Sequence, residues 1–236
     1  MSAPLGLVTI GQAPRTDLHE DAAPLLAGTP FTEHGALDED RFEGPREAAA
    51  RAAVAPAPGE APLVSRLRDG RSVTLGHHAL LPRMERAVAR AEADGAAATL
   101  VLCTGNFPQL AATRPLLFAE PLVQRAVAAL TGDRPVGLLC PHPDQERDVA
   151  RRWSALLDGP VRVTGADPYA PGDAPLDQVA RAAAGLARQG SAWIVLDCIG
   201  YTERMRRAAA EASGRPVLLA RSLAIRLAAE AVAASA

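Results

Sequence analysis

The feature that most constrains the fold is a stretch of chain that occurs twice. "GAAATLVLCTG" (Gly95–Gly105) and "GSAWIVLDCIG" (Gly190–Gly200) share Gly, Ala, Cys and Gly at the same offsets, 95 residues apart. Arg86-Ala87 and Arg181-Ala182 extend the match backwards at the same separation. An earlier pair agrees as well: "PLGLVTI" from Pro4 resembles "PVGLLCP" from Pro135. Two copies of one unit point to duplication. Each repeated run is short, apolar and bounded by glycine, as suits a strand buried on both faces.

Short apolar runs alternate with Ala-rich helical stretches along the whole chain, the pattern of βαβ units and parallel sheets. Strands are expected at Leu5–Ile10, Thr99–Cys103, Val136–Cys140, Val161–Thr164, Trp193–Cys198 and Val217–Leu219. Helices are expected at Asp17–Ala27, Leu80–Asp94, Leu122–Leu130, Gln145–Leu157, Leu176–Gln189, Thr202–Ala212 and Ser222–Ala234. In "LVSRLRDGRSVTL", Asp69-Gly70 separates two alternating runs, a hairpin signal. Segment Phe42–Pro62 is partly helical at most and ends in the loop "APAPGEAP". The expected fold is therefore α/β, with two pseudo-symmetric parallel-sheet halves and a cleft between them. The first half would hold residues 1–113 plus 217–236 with a hairpin insertion, and the second residues 114–216, the terminal helix returning to the first.

Composition narrows the function. The 236 residues carry a formal net charge of −2 with no long basic run, so nucleic acid and anionic membranes are not expected partners. No apolar run approaches the length of a membrane helix, and "MSAPLGLVTIGQAPR" lacks the charged and apolar regions of a signal peptide. Three widely spaced cysteines suggest neither a disulfide framework nor zinc, so reduced thiols, a cytoplasmic location and no metal or cofactor are expected.

Cys103 and Cys198 both end expected strands, where open parallel sheets place ligands. If the halves face each other, so do the thiols. A carbon acid held between two sulfurs roughly 7 Å apart loses a proton to one thiolate and regains one from the opposite thiol. Helix starts after Thr104-Gly105-Asn106 and after Ile199-Gly200 would supply N–H groups to each sulfur. Those N–H groups, the Thr104 and Thr202 hydroxyls and the Asn106 amide would hold a substrate carboxylate. Gly11, Gln12 and Arg15 follow the first strand, and the Arg15 fork suits a carboxylate clamp. Cys140 matches Thr9 in the repeat and is expected to be a packing residue; His142, Gln145, Asp167 and Tyr169 are secondary candidates. His77-His78 reads as a polar loop, because vicinal histidines do not chelate one metal easily.

The two cysteine-ended strands resemble the aspartate/glutamate/hydantoin racemase superfamily of cofactor-independent enzymes. "LVTIGQAPRTD", "VLDCIGYTERMR" and "PVLLARSLAIRLAAE" resemble the AroM family in particular, over essentially the whole chain. The resemblance implies acid–base chemistry at the α-carbon of a small carboxylate-bearing substrate, and a homodimer is compatible with it. Racemases typically follow the first cysteine with Asn-Thr and the second with Thr-His; here the residues are Thr104-Gly105-Asn106 and Ile199-Gly200-Tyr201. Tyr201 is the candidate hydroxyl in place of that histidine. The leading expectation is a racemase or epimerase-like isomerase using Cys103 and Cys198. The alternatives are a two-lobed small-molecule binding protein and a one-cysteine decarboxylase or hydrolase.

Overall fold

The computed structural model describes residues 3–26 and 28–234. Ala27, the last residue of the expected helix Asp17–Ala27, and residues 1, 2, 235 and 236 of the expected first domain lie outside the described residues. The chain divides into two compact units, Met1–Ala119 with Ala224–Ala236, and Glu120–Leu223.

The first unit runs β1 (Leu5–Thr9), α1 (Thr16–Leu26), β2 (Phe31–Gly35), α2 (Glu47–Val54), β3 (Leu63–Arg66), β4 (Ser72–Leu75), α3 (His77–Ala93), β5 (Ala98–Leu102) and β6 (Leu116–Phe118). Its parallel sheet has the order β2-β1-β5-β6, and β3 and β4 form a separate antiparallel hairpin. Gly70 turns the hairpin at φ +84°, a conformation that needs no side chain. The second unit runs α4 (Ala119–Thr131, its first residue counted with the first unit), β7 (Val136–Cys140), α5 (Glu146–Ser154), β8 (Val161–Gly165), α6 (Ala174–Arg188), β9 (Trp193–Leu196), α7 (Glu203–Ser213) and β10 (Val217–Leu219). Its parallel sheet has the order β10-β9-β7-β8. The last helix, α8 (Ala220–Ala233), starts in the second unit and belongs to the first from Ala224 onward.

The two sheets repeat each other residue by residue. Leu5 pairs with Ala98 and Val8 with Val101; Val136 pairs with Trp193 and Leu139 with Leu196. The second set is the first shifted by the two separations seen in the sequence, one carrying Pro4 to Pro135 and the other Gly95 to Gly190. Helix seating repeats too. A Cβ on Gly6 would meet Ala91 and Thr99 at 3.0 Å and Ala96 at 3.1 Å. A Cβ on Gly137 would meet Ser191 at 2.8 Å, Leu186 at 2.9 Å and Ile194 at 3.1 Å, and these are the repeat partners of the first three. In each unit one helix therefore rests directly on the first strand at a glycine, where a larger residue would force its neighbours to give way. Leu5, Val8, Leu100 and Val101 are fully buried, as are Leu138, Leu139, Ile194 and Val195. Each such side chain contributes about 1.5–3 kcal/mol by leaving water.

Three expectations need correction. Residues 114–119 belong to the first unit and 217–223 to the second, because β6 pairs with β5 and β10 with β9. Strands β2 and β6 were not expected; both are sheet edges, and polar Thr32, Glu33 and His34 in β2 hide the strand pattern. The low-periodicity segment is partly helical as expected, in α2. His77 and His78 start α3, and are not a loop.

No helix among the described residues is long and apolar enough to cross a membrane. Gly137→Ala should destabilise the protein by about 1–3 kcal/mol, because α6 has to shift to admit a methyl group. Urea unfolding reads this as a lower midpoint, and an unchanged midpoint would show that the helix is not seated as described.

Candidate functional site

Cys103 directly follows β5 and is 8% exposed. The Gly105 N–H donates to its Sγ at 3.3 Å. A side chain on Gly105 would meet Leu63 Cδ2 of the hairpin at 2.7 Å and would have to push that side chain aside. His77 Cε1 lies 3.7 Å from that Cβ position, and the His77 ring packs on Phe107 at 5.3 Å between centroids. The turn is thus lined by the hairpin and by the first turn of α3. Thr104 is buried and Asn106 exposed. The helix expected after Asn106 is absent. The chain instead reaches β6 without regular structure, anchored where Glu92 accepts from the Thr113 and Arg114 N–H groups at 2.7 and 2.8 Å.

Cys198 lies two residues beyond β9 and is 7% exposed. The Gly200 N–H donates to its Sγ at 3.3 Å, the same contact at the same distance as in the first unit. An N–H aimed at sulfur favours its charged form. Here the expected helix is present: the Thr202 hydroxyl oxygen accepts from the Met205 N–H at 3.2 Å and caps α7. The Asp197 carboxylate accepts from Trp153 Nε1 at 2.7 Å.

Tyr201 is corrected. It is fully buried, its hydroxyl donates to the Ala166 carbonyl at 2.6 Å, and burial holds its phenol well above the usual tyrosine range. The hydroxyl beside the sulfur belongs to Tyr169, with Oη 3.8 Å from Cys198 Sγ. Its ring covers Gly200, where a Cβ would lie 2.4 Å from it. The sequence clue was its place just beyond β8; nothing in residue spacing distinguishes it from Tyr201. His77 was missed for the same reason, since it nears Cys103 only through the seating of α3.

The loop after β1 serves the hairpin. A Cβ on Gly11 would lie 2.2 Å from the Arg66 carbonyl oxygen, so β3 runs directly over it. Gln12 donates through Nε2 to the Leu37 and Asp40 carbonyls and accepts from the Arg68 N–H. Arg15, offered by the sequence as a carboxylate clamp, is 3% exposed and grips Asp17 bidentately at 2.7 and 2.8 Å. Its Nη1 reaches the Thr9 and Ser65 hydroxyls at 3.4 Å. The fork is a strut between loop and hairpin. Cys140 is fully buried, its thiol donates to the His142 carbonyl at 3.3 Å, and burial, aided by Glu146, pushes it up to about 12. Gln145 is buried, and His142 accepts the Asp144 N–H through Nδ1. Among the described residues no group of His, Cys, Asp and Glu is arranged to hold a metal ion.

The fold recurs in solved structures. Unliganded arylmalonate decarboxylase matches with a TM-score of 0.61 and 17% identity, over 100% of this chain and 94% of that one. The Picrophilus torridus aspartate racemase matches with a TM-score of 0.63 and 7% identity, over 98% and 94%. A glutamate racemase isoform from Bacillus anthracis matches with a TM-score of 0.62 and 10% identity, over 99% and 82%. No curated protein sequence matches significantly. The model of the AroM protein family matches residues 5–232, and the chain, with both cysteine turns inside that span, belongs to the AroM family.

Proposed function

We propose that this protein is a cofactor-independent racemase or epimerase-like isomerase acting at a carbon next to a carboxylate or carbonyl, with Cys103 and Cys198 as the acid–base pair. The observation that carries the reading is the matched pair of contacts, an N–H two residues on donating to each sulfur at 3.3 Å. A buried cysteine kept only for packing needs no such donor. One repeated at both strand ends is what two exchangeable thiolates need.

In the proposed reaction one thiolate takes the proton from the substrate carbon, and the electron pair moves into the adjacent carboxylate or carbonyl. The other thiol returns a proton to the opposite face, leaving the two sulfurs with their protonation states exchanged and ready for the reverse direction. The exposed Asn106 amide, the Thr104 and Thr202 hydroxyls and the turn N–H groups are the proposed carboxylate donors. Arg15 is left out because Asp17 occupies its fork. The fold shared with aspartate and glutamate racemases supports this reading. The fold shared with arylmalonate decarboxylase favours a second reading. There a carbon–carboxylate bond breaks, carbon dioxide leaves, and a single thiol protonates the carbon.

Deuterium exchange at the α-position in D₂O, across amino acids, hydroxy acids and hydantoins, separates the two. The acid–base pair predicts exchange that is lost in both Cys103→Ser and Cys198→Ser. Exchange surviving in one variant supports the single-thiol reading, and ligand binding without exchange would contradict the racemase reading. Thiol reactivity is a second test. Cys140 titrates only as the pH rises through about 12, so it stays a protonated thiol at neutral pH. Iodoacetamide should therefore modify Cys103 or Cys198 first, as peptide mass mapping would show. Faster modification of Cys140 would count against the site.

A further inference from the structure

Arg221 is a fully buried arginine at the start of α8, within the second unit. Its Nε donates to the Ile199 carbonyl at 2.9 Å and its Nη2 to the Gly200 carbonyl at 3.3 Å. These are the two carbonyls of the turn that follows Cys198. The Ile199 carbonyl and the Gly200 N–H belong to one peptide plane, and in a trans peptide they point in opposite directions. The only cis bond among the described residues is Ala13–Pro14, so this plane is trans. Fixing the carbonyl on Arg221 therefore fixes the N–H on Cys198 Sγ. A cation on the carbonyl also polarises the amide and makes that N–H a stronger donor.

We infer that Arg221 is the positioning residue of Cys198, acting through the Ile199–Gly200 peptide to hold an N–H on the sulfur. The duplication makes this specific to one thiol. Arg221 is the second residue after β10, and the matching residue after β6 is Glu120. Glu120 carries the opposite charge and pairs with Arg152 and Gln124 in the second unit. The two turns thus share geometry and differ in what stands behind them. Tyr169 lies beside the Cys198 sulfur, Tyr201 is acted on by Cys198, Cys140, Asp197 and Tyr169 together, and Arg152 faces Asp197. Tyr201 and Cys140 are held neutral by burial and Asp197 is bonded to Trp153, while Arg221 is a cation bonded directly to the turn's carbonyls. Making Cys198 the readier base in turnover rests on the acid–base reading above; holding its N–H donor does not.

The test needs no substrate. In Cys140→Ser protein, the pH–rate profiles of iodoacetamide alkylation are followed separately at Cys103 and Cys198 by mass spectrometry. Arg221→Met should raise the Cys198 midpoint by about one pH unit, roughly a tenfold slower reaction at neutral pH, and leave Cys103 unchanged. Arg221→Lys should fall between, since it restores charge without the fork. An unmoved Cys198 midpoint in folded Arg221→Met or Arg221→Lys would overturn the proposal. Should both variants fail to fold, the unmodified protein decides. The Arg221 Nε–H and Gly200 N–H resonances should then titrate together with the Cys198 midpoint, and an Arg221 resonance constant through that midpoint would overturn it.

Discussion

The structure depends on one constraint, the register in which the first strand of each unit pairs with its cysteine-ended strand. Val8 lies beside Val101 as Leu139 lies beside Leu196. A slip of one residue would turn every side chain of a strand to the other face and carry the cysteine away from its turn. Two things hold the register. The strands are buried on both faces, and a helix rests on Gly6 or Gly137, where a larger residue would press on it. Given that register, Cys103 and Cys198 leave their sheets at equivalent heights, and the glycine two residues later brings its N–H to the sulfur.

Around this shared element the units diverge, and each divergence has a physical origin. In the first unit the hairpin closes over the loop after β1 and supplies Leu63 to the Cys103 turn; Gly11, Gln12 and Arg15 are spent on holding it there. In the second, α7 starts just after the Cys198 turn, Tyr169 covers Gly200, and Arg221 anchors the turn from behind. The result is one thiol framed by a hairpin and an imidazole, and another framed by a phenol and a buried guanidinium.

Much of this was legible in the sequence because it is local or repeated. The double cysteine motif, the alternation of strands and helices, and Asp69-Gly70 in its hairpin are patterns of neighbouring residues. What escaped was set by tertiary contacts. The edge strand β2 is too polar to be read as a strand, and β6 is only three residues long. In place of the helix expected beyond Cys103 the chain runs irregularly to Thr113 and Arg114, whose N–H groups Glu92, from α3, ties down. Tyr201 and Tyr169 exchanged roles because the fold buries one at Ala166 and swings the other onto the sulfur. Arg15 looked like a clamp from residue type alone, but Asp17, two residues on, already fills its fork.

The proposed chemistry requires the two cysteine turns to act as a pair on one substrate carbon. A short bis-alkylating reagent such as 1,3-dibromoacetone tests it on the native protein. The expected product is a single covalent bridge joining the peptides that carry Cys103 and Cys198, formed in preference to any bridge through Cys140. Separate modification of the two cysteines, with no bridged peptide pair under native conditions, would contradict it.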